Sequence, residues 1–133
     1  MNIKSIVFIA TIITAPLLFN GCMTQKKSDY ELARISATEK LNRGKAHFLA
    51  GNYSQAETDL IGATIWQANN ATQLNALKYL AFTYCVTERP ALCRHAFYKA
   101  LQLDPRFELS SAEVTHPLWG PEFNLARNGQ PSQ

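Results

Sequence analysis

This chain of 133 residues has no strong charge of either sign. Lys and Arg number 13 and Asp and Glu number 10. A nucleic-acid binder needs a clustered basic face, and this balance argues against one. Strand signals are also missing: there is no period-2 run and no Asn-Gly turn between apolar segments. Glycine is sparse, at 6 residues, and nowhere forms a phosphate-cradling loop. His47, His95 and His116 are scattered, without the spacing of a metal site or of a serine–base pair. These absences exclude the common catalytic constellations, and the expectation is no enzyme, no metal and no small-molecule substrate. The apolar run near the start, Ile6 to Phe19, is interrupted by Thr11, Thr14 and Pro16. It is shorter than the roughly 20 apolar residues that a membrane span requires.

That run is better read as part of an export signal. Lys4 and the N-terminal amine form a positive n-region, the apolar stretch follows, and small Gly21 precedes Cys22. Met1–Gly21 is thus expected to be a lipoprotein signal peptide, with Cys22 carrying diacylglycerol; ordinary secretion or a retained anchor is the alternative. The box Leu18-Phe19-Asn20-Gly21-Cys22 departs from the usual Leu-Ala-Gly-Cys in that Phe19 takes the Leu position. Met23 follows the cysteine, so no Asp stands there to retain the chain at the inner membrane. The expected location is the outer membrane, lipid-anchored and facing the periplasm. Two or more acyl chains make such attachment stable.

Cys22–Gln133 is the length of one domain. Residues 22–29 read as a polar tether, 30–127 as a helical domain and 128–133 as a disordered tail. Ser28 and Glu31 match a capping box. A helix then runs to about Ala50 and stops at Gly51, which suits a left-handed C′ residue. A second helix is expected from Ser54 to Ala68, ended by Asn69-Asn70. Thr72 is placed to cap a third over Gln73–Val86. Pro90 suits the first turn of a fourth, ending near Leu103. The fold class is therefore all-α, built from antiparallel helical hairpins with short connections.

The hairpins resemble each other and resemble the tetratricopeptide repeat. The second carries Leu77, Leu80-Ala81, Tyr84, Cys93, Phe97, Ala100 and Asp104-Pro105 at the repeat's spacing. The first carries Gly44, Ala56, Leu60 and Ala63, but has Arg43 and His47 where Leu and Tyr are usual. Gly44 and Ala81 are expected to permit close helix approach, with Ala56 and Cys93 as their small partners. The repeat length is 37 residues against the ideal 34, with the excess between Ile65 and Thr72. Ser110–Arg127 offers a C-terminal capping helix through Val114, Leu118, Trp119, Phe123 and Leu125.

From Leu80 onward the likeness narrows. Leu80-Ala-Phe-Thr-Tyr-Cys-Val, Arg89, Cys93-Arg94, Asp104-Pro105-x-Phe107-x-Leu109, Glu113 and His116-Pro117-Leu118-Trp119-Gly120-Pro121 resemble the small lipoproteins associated with type VI secretion, the TssQ type. The likeness covers the last third to half of the chain. It implies an accessory adaptor of an envelope secretion apparatus, with envelope proteins as partners and no catalysis. Pilotins and assembly lipoproteins of other envelope machines are the nearest alternatives, and a cell-wall enzyme activator is a further one.

Cys85 and Cys93 flank the Pro90 turn, where antiparallel helices bring them together. A disulfide is expected in an oxidising compartment; two buried thiols are the alternative. The first helices of the two hairpins point to a partner-binding face of Leu41, Asn42, Lys45, Lys78, Tyr79 and Phe82. The alternative there is a buried Phe82 with solvated lysines. Trp119 is expected to pack on Phe97, or else to present itself to a partner as an interface anchor.

Overall fold

The computed structural model describes the backbone of residues 21–129 and the side chains of 29–129. The export-signal assignment up to residue 20, the Cys22 side chain and residues 130–133 of the tail lie outside what is described. The described residues are all-α: α1 (Gly21–Leu49), α2 (Tyr53–Leu60), α3 (Ala63–Trp66), α4 (Asn70–Val86), α5 (Pro90–Leu103), α6 (Ser111–Val114) and α7 (Gly120–Arg127). None of these helices is long and apolar enough to cross a membrane.

Helix α1 starts earlier than the Ser28 capping box suggests. Met23-Thr-Gln-Lys-Lys contains neither proline nor glycine, and Met, Gln and Lys are good helix formers. The helix therefore runs through the segment read as a tether. Its buried stripe is Ala37, Leu41 and Gly44, with Phe48 half-buried one turn on; that spacing keeps one face toward the core. Gly51 ends the helix with φ +77°. Its N–H donates to the Phe48 carbonyl at 3.0 Å, and that of Asn52 donates to the His47 carbonyl at 2.8 Å. This is the Schellman pattern.

The single helix expected over Ser54–Ala68 is broken into α2 and α3. Gly62, with φ −58° and ψ 138°, leaves helical geometry and caps α3. Glycine is a poor helix interior residue, and Lys40 and the Asp59 carbonyl crowd the space where a side chain at 62 would stand. Helix α4 begins earlier than Gln73, because Asn69 rather than Thr72 is the cap: its side chain accepts from the Thr72 N–H at 3.0 Å.

Helices α4 and α5 form the central hairpin, α1 packs on α2, and α7 closes over α5. The core runs through Leu41, Leu60, Ile65, Leu80, Phe82, Cys93, Phe97 and Phe123. Full burial of each large side chain there is worth about 1.5–3 kcal/mol. Gly44 permits the α1–α2 approach: a Cβ there would stand 2.7 Å from Leu60 Cγ. Cys85 and Cys93 are disulfide-bonded, with Cα atoms 5.2 Å apart.

The C-terminal cap is two short helices. Ser110 and Glu113 form a reciprocal capping box on α6. Pro117 lies in the turn before α7 and starts no helix; Pro121 occupies the first turn of α7. Phe123 seats edge-on against Phe97 at 5.2 Å and against Phe107 at 6.0 Å. Leu118, expected to pack, is half exposed.

Candidate functional site

The expected partner face along α1 and α4 is largely occupied by the fold. Leu41 is 8 % exposed and Phe82 3 %, so both belong to the core. Phe82 is covered because Trp119 stacks on its ring at 4.3 Å, with Phe97 and Phe48 at 6.1 and 6.0 Å. Trp119 thus packs on Phe82, where Phe97 was expected. Its indole N–H donates to the Glu113 carbonyl at 2.8 Å, and His116 stacks on its other face. A tryptophan held on both faces and at its N–H is a structural anchor of the cap.

Lys78 is held as well. Its ammonium donates to Glu113 at 2.7 Å and is half-buried. Burial pushes the Glu113 carboxyl up, but hydrogen bonds from Lys78 and from the Ser110 backbone and hydroxyl outweigh this and hold it below its ordinary range. The same carboxylate therefore caps α6 and ties it to α4. What remains open on this face is Asn42, which is exposed, with Lys45 and Tyr79, which are half-buried. Lys45 and Lys78 each place their charge 5.3 Å from the Tyr79 ring centroid. Cations over an aromatic face hold that ring in position.

Arg43 and His47, the departures from the repeat pattern, find their explanation in Asp59. Arg43 donates twice to that carboxylate, at 2.7 and 2.5 Å, and His47 Nε2 lies 3.8 Å away. The Arg43 hydrogen bond holds the Asp59 carboxyl low, against the opposing push of burial. Thirty-seven residues on, the corresponding positions are Leu80, Tyr84 and Ala96, apolar or aromatic. A charged cluster in the first hairpin thus stands where the second has Leu80, Tyr84 and Ala96.

A surface that sequence reasoning missed opens on another side of α4. Leu77, Leu80 and Tyr84 recur at helical spacing, on a different stripe from Lys78 and Phe82. With Ile61, Trp66, Leu92, Ala96, His95 and Lys99 they line an open groove of about 300 Å³. The groove exists because the α2–α3 break turns Ile61 and Trp66 outward; they are 50 % and 38 % exposed, and Leu92 is 44 % exposed. Trp66 donates its indole N–H to the Ile61 carbonyl at 3.0 Å. The visible signal was Trp66 and Leu92, two large apolar side chains that the expected repeat and capping positions leave unused. Among the described residues, no cluster of His, Cys, Asp or Glu could hold a metal ion.

The chain matches no family model, no curated protein and no solved structure.

Proposed function

We propose that this chain is an outer-membrane-anchored periplasmic lipoprotein that acts as a protein–protein adaptor of a type VI secretion apparatus. The observation that carries the reading is the Cys85–Cys93 bond. Disulfides persist in oxidising compartments such as the periplasm, which fits an export signal ending at Cys22. The two hairpins, α1–α2 and α4–α5, are compatible with tetratricopeptide repeats, a scaffold whose usual work is holding peptide segments on its inner helices. The His116–Pro121 box, part of the likeness to the secretion-associated lipoproteins, builds the cap that closes the aromatic core through Trp119.

The face left for a partner is Asn42, Lys45 and Tyr79. A short two-hairpin face gives modest affinity, which a shared membrane anchor raises through effective concentration. The test is a photocrosslinking residue at Asn42 in intact envelopes. Capture of a secretion-apparatus protein, diminished by Lys45→Glu, is the expected result. Capture of a pilus or outer-membrane assembly component would replace this reading with the assembly-lipoprotein one. Cys22→Ser is expected to abolish palmitate labelling and release the protein from the membrane fraction; continued labelling would overturn the anchor assignment.

A further inference from the structure

We infer that the groove between α3, α4 and α5 docks an amphipathic helix of a partner protein, with apolar anchors along its buried face and carboxylates along its flank. This site lies on a different stripe of α4 from the Asn42–Lys45–Tyr79 face, and the inference does not depend on the secretion reading.

The mode of recognition follows from the walls. Apart from Ile61 in the α2–α3 turn, whose carbonyl takes the Trp66 N–H, the walls are helices with internally bonded backbones, so an extended peptide finds no sheet edge to pair with. Helix-in-groove docking needs only side-chain pockets at i, i+3, i+4 and i+7. The α5 wall from Leu92 to Lys99 spans two helical turns, about 10 Å, which matches that anchor set. The volume is at the lower end of small-molecule sites, and the groove lies open along its length. Such a space suits a few aliphatic side chains rather than an enclosed ligand.

The groove is also preformed. Trp66 is pinned by its bond to the Ile61 carbonyl, and Gln73 donates to the Trp66 and Ala68 carbonyls at 3.3 and 2.8 Å. The lining residue Tyr84 is held too: Arg89 lies over its ring at 4.6 Å and pairs with Glu57 through both terminal nitrogens. A fixed, partly exposed tryptophan is the residue type most often found as an interface anchor.

Charge selects the partner. The lining contains no carboxylate. Its ionisable groups are Tyr84, His95 and Lys99; burial and the neighbouring Glu57 raise the Tyr84 phenol above its ordinary value, so it stays neutral. His95 and Lys99 stand one turn apart on the α5 wall, both exposed, and neither joins an ion pair among the described residues. An unpaired Lys99 ammonium beside an apolar floor, with no carboxylate in the lining, is complementary to an acidic flank.

The experiment measures fluorescence anisotropy of two labelled, stapled helical peptides against the purified full chain. Both carry the same leucine stripe; one has Glu on its flanks, the other Lys. The Glu peptide is expected to bind at least about tenfold more tightly, since rim charges of like sign repel. Lys99→Glu should erase that preference, and Leu92→Asp should abolish binding while melting changes little, as both residues are exposed. Equal binding of the two peptides overturns the inference, as does binding that survives Leu92→Asp. So does a dimer in sedimentation velocity that Leu92→Asp dissociates, which would make a second copy the occupant. If Leu92→Asp unfolds the chain, the Lys99→Glu arm decides alone.

Discussion

At the scale of single residues, Gly44 and Glu88 occupy positions with opposite problems. Gly44 is needed because a Cβ would meet Leu60, a fully buried side chain that cannot swing away. Gly44→Ala is expected to destabilise by about 1–3 kcal/mol, as overpacking does, measurable in urea unfolding. Glu88 stands 37 residues after Gly51 and repeats its role. The Glu88 N–H donates to the Cys85 carbonyl and that of Arg89 to the Tyr84 carbonyl, the same Schellman pairing. Yet Glu88 adopts φ +59° with a side chain attached. Left-handed geometry costs a non-glycine residue about 1–2 kcal/mol, so Glu88→Gly should stabilise by about 1 kcal/mol after the loss to chain entropy. Gly44 and Gly51 were legible because glycine announces close approach and positive φ. Glu88 was not, since nothing in a glutamate signals a left-handed turn; only the repeat register points to it.

At the scale of elements, helix existence was readable and helix boundaries were less so. The start of α5 at Pro90 and the end of α1 at Gly51 follow from residues with one strong backbone preference. The break after α2 was missed because Ile61-Gly62-Ala63 sits inside an apolar run that continues the helical period, and one glycine is often tolerated there. The cap was read as one helix because its apolar spacing looks continuous, whereas Pro117 and Gly120 divide it. The α4–α5 hairpin is the element with a covalent closure. Its cysteines stand eight positions apart, so chain-entropy arguments assign the bond about 2–3 kcal/mol. The Cys85→Ala/Cys93→Ala variant should lose that amount in denaturant unfolding, with helical content at neutral pH unchanged. An unchanged midpoint would mean that the hairpin is equally constrained without the bond.

At the scale of the whole molecule, charge pairs add to apolar packing in tying elements together: Arg43 with Asp59, Arg89 with Glu57, Lys78 with Glu113 and Arg94 with Glu122. Asp59 and Glu113 have carboxyls held below their ordinary values. A depressed folded-state value gives stability that is present above the unfolded carboxylate range, about pH 4, and is lost as pH falls through the folded value. Melting temperature should therefore hold steady from pH 7 to 5 and fall below pH 4, and Asp59→Asn should flatten that fall. The partner face was only partly legible. Helical spacing placed Leu41 and Phe82 beside Asn42 and Lys45, but it could not say that Trp119, far along the chain, would cover Phe82. The groove was hidden for a related reason, since it depends on the α2–α3 break. These two places differ in one further respect. The chain has two tryptophans, and each sits at one of them: Trp119 sandwiched in the cap between Phe82 and His116, Trp66 half open at the groove. The native protein thus carries two separate optical probes. With Trp66→Phe, emission reports only whether the cap stays seated; with Trp119→Phe, it reports only whether the groove is filled, so the two events can be timed independently without any added dye.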